Sequence, residues 1–230
     1  MNSAAATIVE VAGESLVLHP AKVAWWIRKS TLLLADSHFG KAATFRQAGL
    51  VVPPGTTARM LQRLSDLVQE CKAERIIVLG DFVHSSARAE SDFESELIAW
   101  RNQHRNLCLT LIRGNHDRGH AELFSAMRFE VLCEPHVEEA IAFCHRPDLA
   151  VGAGLYGIAG HIHPSLWIED AGRAGVKLPC FIVGLRQMVL PAFGEFTGSA
   201  TMPVKPGVRM FAVAGDQVIE VTPRGRSGRT

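Results

Sequence analysis

The sequence lacks several features that would assign it to other classes of protein. Its five cysteines are scattered without a C-x-x-C pair, and an odd number cannot all pair internally. No apolar run approaches the ~20 residues that a membrane-spanning helix needs. The N-terminus also lacks the basic segment and apolar core of a signal peptide. We therefore expect a soluble cytoplasmic protein with reduced thiols and no membrane partner.

An excess of charge of one sign is also missing. The 24 lysines and arginines nearly balance the 23 acidic residues, which leaves a formal net charge of +1. Overall charge therefore gives no argument for nucleic-acid binding, and any such binding must be local. A chain of 230 residues that is 47% hydrophobic can bury a substantial core. We predict a single domain over residues 1–222 and a basic flexible tail over residues 223–230.

Apolar periodicity divides the chain into two halves. The first half alternates strands with helices. Strands are predicted at residues 6–11, 15–18, 23–27, 31–35, 75–79 and 107–112. Helices are predicted at 41–48, over a segment that includes 60–71, and in a segment that begins at Ser91. The second half is mostly strands, predicted at 129–132, 139–144, 155–159, 176–183, 208–213 and 217–221. This order predicts an α/β protein with two packed sheets.

Five short polar segments carry the chemical signal, and three of them directly follow a predicted strand. They are Asp36-Ser37-His38, Gly80-Asp81, Gly114-Asn115-His116-Asp117, the lone His145 and Gly160-His161-Ile162-His163. Oxygen and imidazole donors without a thiolate suit two divalent ions better than a structural zinc. Two ions about 3.5–4 Å apart stabilise the entering and leaving oxygens of an attack on phosphorus. Each segment alone also fits a simple turn, so the order and spacing carry the prediction of phosphoester hydrolysis.

In this order the segments resemble the calcineurin-like metallophosphoesterase superfamily, whose pattern D-x-H, G-D, G-N-H-D/E, H and G-H-x-H covers Asp36 to His163. Residues 38–46, 53–57 and 190–194 look like the bacterial DNA ligase-associated (PdeM-type) metallophosphoesterases, and this second resemblance spans nearly the whole chain. The resemblance implies an α/β fold, a four-layer αββα sandwich of two mixed sheets. It also implies functional association with an ATP-dependent DNA ligase, a helicase and an exonuclease.

The same resemblance implies a role for each motif residue. One ion would be held by Asp36, His38 and His163, the other by Asn115, His145 and His161, with Asp81 bridging the two. His116 would act on the phosphate or protonate the leaving oxygen, and Asp117 would orient it. A hydroxide held by the ions would be the nucleophile, without a covalent intermediate. Mn²⁺ is the expected metal, with Fe²⁺, Zn²⁺ and Mg²⁺ as alternatives.

Three further residues are candidates for contact with substrate. Lys41 and Arg46 follow the first motif, where a cation can meet a phosphate, although solvated surface charge fits them too. His84 stands three positions after Asp81, where many members of the superfamily carry an acidic or amide residue. It can be an extra ligand, a phosphate contact or a residue that supports the ligands, and we favour the last.

We therefore expect a Mn²⁺-dependent phosphodiesterase that acts on DNA in repair, as an endonuclease or an end-processing enzyme. The reaction class follows from the metal motif, whereas DNA as substrate rests on the resemblance. One alternative is a small-molecule phosphatase or nucleotide pyrophosphohydrolase with a narrow, closed pocket. Another is a non-catalytic scaffold that binds repair partners, against which the complete motif, including His116, argues.

Overall fold

Two β-sheets form the centre of the protein in a computed structural model, which describes residues 6–84, 91–149, 151–169 and 175–221. The strands of the first sheet lie side by side in chain order: β1 (Thr7–Val11), β2 (Glu14–His19), β3 (Val23–Trp26), β4 (Thr31–Leu34), β5 (Arg75–Val78), β6 (Cys108–Ile112) and β7 (Phe129–Leu132). Strands β1 to β4 pair antiparallel, and β4 to β7 pair parallel. The sheet is therefore mixed.

The second sheet is also mixed and comes entirely from the second half of the chain. Its strands are β8 (His136–Glu138), β9 (Ile141–Phe143), β10 (Tyr156–Ala159), β11 (Pro164–Ile168), β12 (Val176–Val183), β13 (Gln187–Val189), β14 (Ala200–Thr201), β15 (Arg209–Ala214) and β16 (Gln217–Val221). Strand β10 pairs parallel with both β9 and β13, while β12 pairs antiparallel with β11, β13 and β15. Strand order therefore departs from chain order only in this sheet.

The described helices are α1 (Lys41–Gln47), α2 (Thr56–Glu70), α3 (Ser91–Gln103) and α4 (Ala121–Ala126). Helices α2, α3 and α4 pack their apolar side chains on the outer face of the first sheet, where Leu64 and Leu97 share one core with Leu32 and Ile76. Helical periodicity places such residues on one face, so this burial follows directly from the sequence pattern. Among the described helices, none is long and apolar enough to cross a membrane.

A second core lies between the two sheets. Trp26, Leu33 and Ile77 of the first sheet pack with Phe143 and Phe181 of the second, and all five are fully buried. The predicted α/β sandwich of two mixed sheets is therefore confirmed. Over the described residues its helices pack on the first sheet, and the outer face of the second sheet packs with apolar side chains of residues 202–208.

The predicted strands agree with the structure to within one or two residues at their ends, whereas α2 begins four residues before the first residue predicted for it. Several short elements were not predicted: β8, β11, β13, β14, α4 and a 3₁₀ helix at Ile27–Lys29. Strand β11 begins at a proline directly after the last polar motif, and α4 spans 6 residues, too few for a helical period to show. The predicted tail, residues 223–230, lies outside the described residues, and the domain boundary stays a prediction.

The carboxyl ends of the parallel strands from both sheets meet at one edge of the sandwich. Strands β4, β5 and β6 lead there to the first three polar motifs, and β10 leads to Gly160. Ala35 pairs in a parallel bridge with Ala192 of the second half, which ties the two sheets together beside Asp36. Strand topology therefore collects the polar motifs in neighbouring loops.

Candidate metal centre

All seven predicted metal ligands lie together at this edge. Asp36, His38 and His163 form one group of possible ligand atoms, and Asp81, His145 and His161 form a second, with atoms in each group within 4.8 Å of one another. The oxygen Oδ1 of Asn115 joins the second group, 3.0 Å from Nε2 of His145. This division is the one that the resemblance implied.

In the first group, two imidazole nitrogens and a carboxylate oxygen face one another. Nδ1 of His163 donates a hydrogen bond to the carbonyl of Gly198 at 2.8 Å, so Nε2 of that ring carries the lone pair. This Nε2 lies 3.4 Å from Nε2 of His38 and 3.5 Å from Oδ1 of Asp36. Oδ1 of Asp36 is buried and has no hydrogen-bond partner. A cation among these atoms satisfies them all.

The second group shows the same arrangement. Nδ1 of His145 donates to the carbonyl of Leu79 at 3.0 Å, which leaves Nε2 free to coordinate. That Nε2 is 3.0 Å from Nδ1 of His161 and 3.6 Å from Oδ1 of Asp81. The other oxygen of Asp81, Oδ2, lies 3.9 Å from Nε2 of His38 in the first group. Asp81 therefore stands between the two groups, where a bridging ligand must be.

Charge and burial also fit two divalent ions. The side chains of Asp36 and Asp81 are 0% and 4% exposed, and no lysine or arginine among the described residues lies within salt-bridge distance of them. Each carboxylate accepts a backbone hydrogen bond, from the N–H of His116 to Asp81 and from that of His161 to Asp36, but two buried negative charges without a positively charged partner are costly. The structure therefore carries the dinuclear ligand set of a divalent-metal enzyme.

Burial favours the neutral form of two histidines of the centre, and the charge of Asp36 opposes it at a third. Burial, helped by the charge of Lys41, lowers the pKa of His38 to about 2, so its ring is neutral as a ligand must be. Burial also lowers the pKa of His161. Burial lowers the pKa of His163 as well, but the nearby carboxylate of Asp36 outweighs this effect, so its pKa is raised, and a metal ion beside Asp36 would offset that charge. These shifts come from the same packing that brings the ligands together.

Unusual backbone conformations are concentrated in these loops. Of the twelve described non-glycine residues with positive φ, five are ligand candidates: Asp36, His38, Asp81, His161 and His163. Such conformations are sparsely populated and persist where surrounding contacts hold them. Gly80 has φ +79°, and a Cβ there would fall 2.2 Å from Nδ1 of His145. The glycine of the Gly-Asp motif is thus required by the ring packed against it.

Asp117 holds two of the motif loops together. Its carboxylate accepts hydrogen bonds from the backbone N–H groups of Gly114 at 2.8 Å, Asp81 and Phe82 at 2.9 Å each, and Val83 at 3.3 Å. Burial raises its pKa, against these backbone bonds, which lower it. The prediction gave Asp117 the task of orienting His116. The hydrogen bonds described for its carboxylate fix the backbone of the loops that carry Asp81 and His116, and the orienting role stays a prediction.

His116 and His84 lie side by side at the rim of the first group. Their rings stack with centroids 5.2 Å apart and planes 23° from parallel. Nε2 of His116 is 4.0 Å from Oδ2 of Asp81, and the side chain is 32% exposed, so it can reach a substrate. Burial lowers the pKa of His84 to about 4, which keeps it neutral. Its position against His116 and His38 suits support of these rings, the role we favoured.

The two cations predicted to contact substrate are placed differently. Lys41 is half-buried at the start of α1, near enough to the centre for Asp81 and Asp36 to raise its pKa, although burial lowers it more. Arg46 lies further along α1, exposed, at a separate cavity of about 410 Å³ between α1 and the start of α2. The structure therefore brings Lys41 to the metal centre and leaves Arg46 outside it.

Two supporting features could not be found from the sequence. The carboxylate of Glu134 accepts hydrogen bonds from the backbone N–H groups of His145 at 2.8 Å and Arg146 at 2.9 Å, which fixes the lone histidine. Residues 194–199 run beside His163, as the bond from its ring to Gly198 shows. Neither has a local motif, because each depends on a partner distant in the chain.

Fold and site together define a metallophosphoesterase. The calcineurin-like phosphoesterase family matches residues 29–184, more than half of the chain, and the protein belongs to this family. No curated protein matches it. Among solved structures, it is similar to the nuclease MPE of Pseudomonas putida, with 32% identity, a TM-score of 0.81 and coverage of 94% of this chain and 100% of that chain. The phosphoesterase YfcE of E. coli matches with 13% identity, a TM-score of 0.45 and coverage of 83% and 97%.

Proposed function

We propose that the protein is a Mn²⁺-dependent phosphodiesterase that cleaves DNA, as an endonuclease or an end-processing enzyme in DNA repair. The observation that carries the proposal is the intact dinuclear ligand set with the partly exposed His116 beside it. Similarity over nearly the whole chain to a protein described as a nuclease supports nucleic acid as the substrate class. The finer assignment, to the DNA ligase-associated metallophosphoesterases, rests on residues 38–46, 53–57 and 190–194.

Four residues of the chain have distinct roles in the proposed hydrolysis. The two ions, when bound, supply positive charge at the phosphate and lower the pKa of water. His116 donates a hydrogen bond to the phosphate or a proton to the leaving oxygen, and the stacked His84 keeps its ring in place. Lys41 adds a positive charge at the mouth of the site. Asp117 fixes the loops that hold Asp81 and His116.

The accessibility of the centre favours a polymer over a small substrate. Asn115 and His161 are exposed and His116 is partly exposed, whereas the ligands beneath them are buried. A phosphodiester within a longer strand can reach such a rim, while a small-molecule phosphatase was predicted to have a narrow, closed pocket. We keep the small-molecule phosphatase or pyrophosphohydrolase as the second candidate, because the ligand set suits its chemistry equally well.

The test is cleavage of covalently closed circular DNA by protein reconstituted with Mn²⁺, with a nitrophenyl phosphodiester assayed in parallel. Nicking that disappears in the Asp81→Ala variant supports a DNA endonuclease. Hydrolysis of the small diester alone moves the substrate to DNA ends or small molecules, and linear DNA with free ends separates these two. Activity on none of the three contradicts the proposal and favours a scaffold.

Metal identity, partners and compartment are further parts of the proposal. Oxygen-rich sites with imidazoles suit Mn²⁺, and Fe²⁺, Zn²⁺ and Mg²⁺ are compatible with the same donors. Reconstitution with each metal separately should give the highest rate with Mn²⁺. We propose a cytoplasmic location from the unpaired cysteines, and by resemblance a functional association with an ATP-dependent DNA ligase, a helicase and an exonuclease. Co-purification with a tagged ligase from the native host would test this association.

A further inference from the structure

The segment between β13 and β14 is fastened at both ends to the candidate metal ligands. The backbone N–H of Gly194 donates to the carbonyl of Asp36 at 3.1 Å. At the other end the ring of His163 donates to the carbonyl of Gly198 at 2.8 Å, and the N–H of Ala200 donates to the carbonyl of His163 at 3.1 Å. We call residues 194–199 the 194–199 loop. Its position is set by the residues that form the metal centre.

Phe196, near the middle of this loop, is in an unusual state. Its φ is +59°, a left-handed conformation that bulky side chains rarely adopt, and the residue is 40% exposed. An exposed aromatic ring on a strained backbone contributes little to folding. Strain of this kind clusters at functional sites, and five of the other residues with positive φ are ligand candidates.

The ring borders a cavity that opens directly beside the metal centre. This cavity has a volume of about 420 Å³ and is lined by His163, Phe196, Lys22, Pro179 and Ser199, among others. Its size lies within the range of sites for small organic groups. His163 is both a candidate ligand and part of the cavity wall, so the cavity adjoins the metal centre.

The lining favours a flat, largely apolar group that is joined to phosphate. The amine of Lys22 donates to the carbonyl of Gly194 at 3.0 Å, and Glu195 lies 3.8 Å from Arg59, so both charges of the cavity have partners. Among the residues that line the cavity, Phe196 is the exposed aromatic one. A nucleobase presents a π-face of this kind whatever its sequence, whereas an inorganic phosphate or alkyl ester would leave the ring in water.

A second exposed aromatic lies along the same part of the second sheet. Trp167, 53% exposed, is on β11, which begins directly after His163. Lys177 is opposite Trp167 in the β11–β12 register, and its amine donates to the carbonyl of Ser199 in the 194–199 loop at 2.7 Å. A polymer that enters at Phe196 therefore meets another cation and another ring further on, as in surfaces that bind single-stranded nucleic acid.

We propose that Phe196 stacks on an unpaired nucleobase next to the phosphodiester held at the metal centre, and that the cavity bordered by the 194–199 loop is the base subsite. This inference rests on the proposed function and adds a residue that positions the substrate. The stacked base fixes which phosphodiester of the strand lies over the metals. Phe196 is thus a positioning residue, and its contribution appears with nucleic acid and not with substrates that have no base.

The test compares Phe196→Ala, Phe196→Leu and Phe196→Trp with the unsubstituted protein. All three retain a Cβ, so the strain at φ +59° is matched across the series. The substrates are a single-stranded oligonucleotide and the same strand with abasic residues on both sides of the cleaved bond, which offers neither a base nor an aryl group there. Loss of one stacking ring should raise KM for the oligonucleotide and lower its kcat/KM relative to the abasic strand about 5- to 150-fold. The leucine variant should resemble alanine, and tryptophan should restore the ratio. Leu185→Ala, at a side chain 91% exposed and outside the cavity, is the matched control and should leave the ratio unchanged.

A binding measurement separates stacking from a general loss of structure. An oligonucleotide that carries 2-aminopurine beside the cleaved bond, mixed with protein in Ca²⁺ to slow cleavage, should change fluorescence on binding, because stacking alters its emission. This change should be lost in Phe196→Ala and Phe196→Leu and kept in Phe196→Trp. If the unsubstituted protein cleaves the oligonucleotide and the variants do so with the same KM and the same fluorescence change, the base subsite is wrong. If it cleaves only the small diester, the proposed function fails, and the subsite fails with it.

Discussion

Replacement of Asp117 tests whether this residue fixes the backbone of the motif loops. Its side chain is buried, the whole residue being 2% exposed, and it accepts four backbone hydrogen bonds, two on each oxygen. A buried N–H left without a partner costs roughly 1–3 kcal/mol, and four of them set an upper range of about 4–12 kcal/mol. Entry of water and removal of a buried carboxyl offset part of this, so we expect Asp117→Ala to lower the free energy of unfolding by about 4 kcal/mol. For a chain of this size Tm would fall by about 8–16 °C.

Asp117→Asn tests the hydrogen bonds with almost no change in side-chain shape. An amide has a single oxygen, so in either orientation its NH₂ group faces two of the backbone donors. We expect it to be destabilised by about half as much as the alanine variant, although it has nearly the shape of aspartate. Thermal unfolding followed by circular dichroism measures both, with Asp216→Asn, in an exposed turn, as the matched control. If either variant loses activity while Tm stays within 1–2 °C of the parent, Asp117 acts on His116 and not on the loops.

Three further predictions follow from the site and its surroundings. Asp81→Ala and His161→Ala should abolish hydrolysis and lose metal, whereas His116→Ala should slow hydrolysis with both ions retained. Metal content and rates are measured on the same samples. Loss of metal from the His116 variant would refute its assignment as a residue that does not bind metal. Gly80→Ala should lower metal content and Tm, because the new Cβ would lie 2.2 Å from Nδ1 of His145 and displace that ring. Gly13→Ala is the control, since Gly13 also has φ +79° but no atom within 4 Å of its Cβ, so it measures the cost of the backbone conformation alone. Burial lowers the pKa of Lys22 to about 8, so between pH 8 and 10.5 the unfolded chain binds more protons than the folded one. The free energy of unfolding should therefore rise over this pH range by about 1–3 kcal/mol more than in Lys22→Met. Urea unfolding at several pH values measures both, and the same pH dependence in the two proteins would contradict the prediction.

The sequence was sufficient to predict which residues meet at the site. Asp36, Gly80 and Gly114 each follow a strand closely, and the carboxyl ends of parallel strands lie at one edge, so local periodicity placed their neighbours correctly. The division of the ligands into two groups came from resemblance, and the structure brings the same residues together.

What the sequence could not provide depends on contacts between distant segments. The four amide bonds to Asp117, the support of His145 by Glu134 and the cavity beside Phe196 join residues without a shared local pattern. The short strands β11 and β14 belong to this group, since they are held by pairing with neighbours and not by their own propensity. Arg46 follows the first motif closely in sequence but lies at a separate cavity, so its contact with substrate stays a prediction.

The central claim is that the two groups of ligands hold two metal ions. Its most direct test is the anomalous scattering of manganese in crystals grown with Mn²⁺. We expect two peaks about 3.5–4 Å apart. One should lie among Asp36 Oδ1, His38 Nε2 and His163 Nε2, and the other among Asn115 Oδ1, His145 Nε2 and His161 Nδ1, with Asp81 between them. A single peak at full occupancy, or two peaks away from these atoms, would contradict the account.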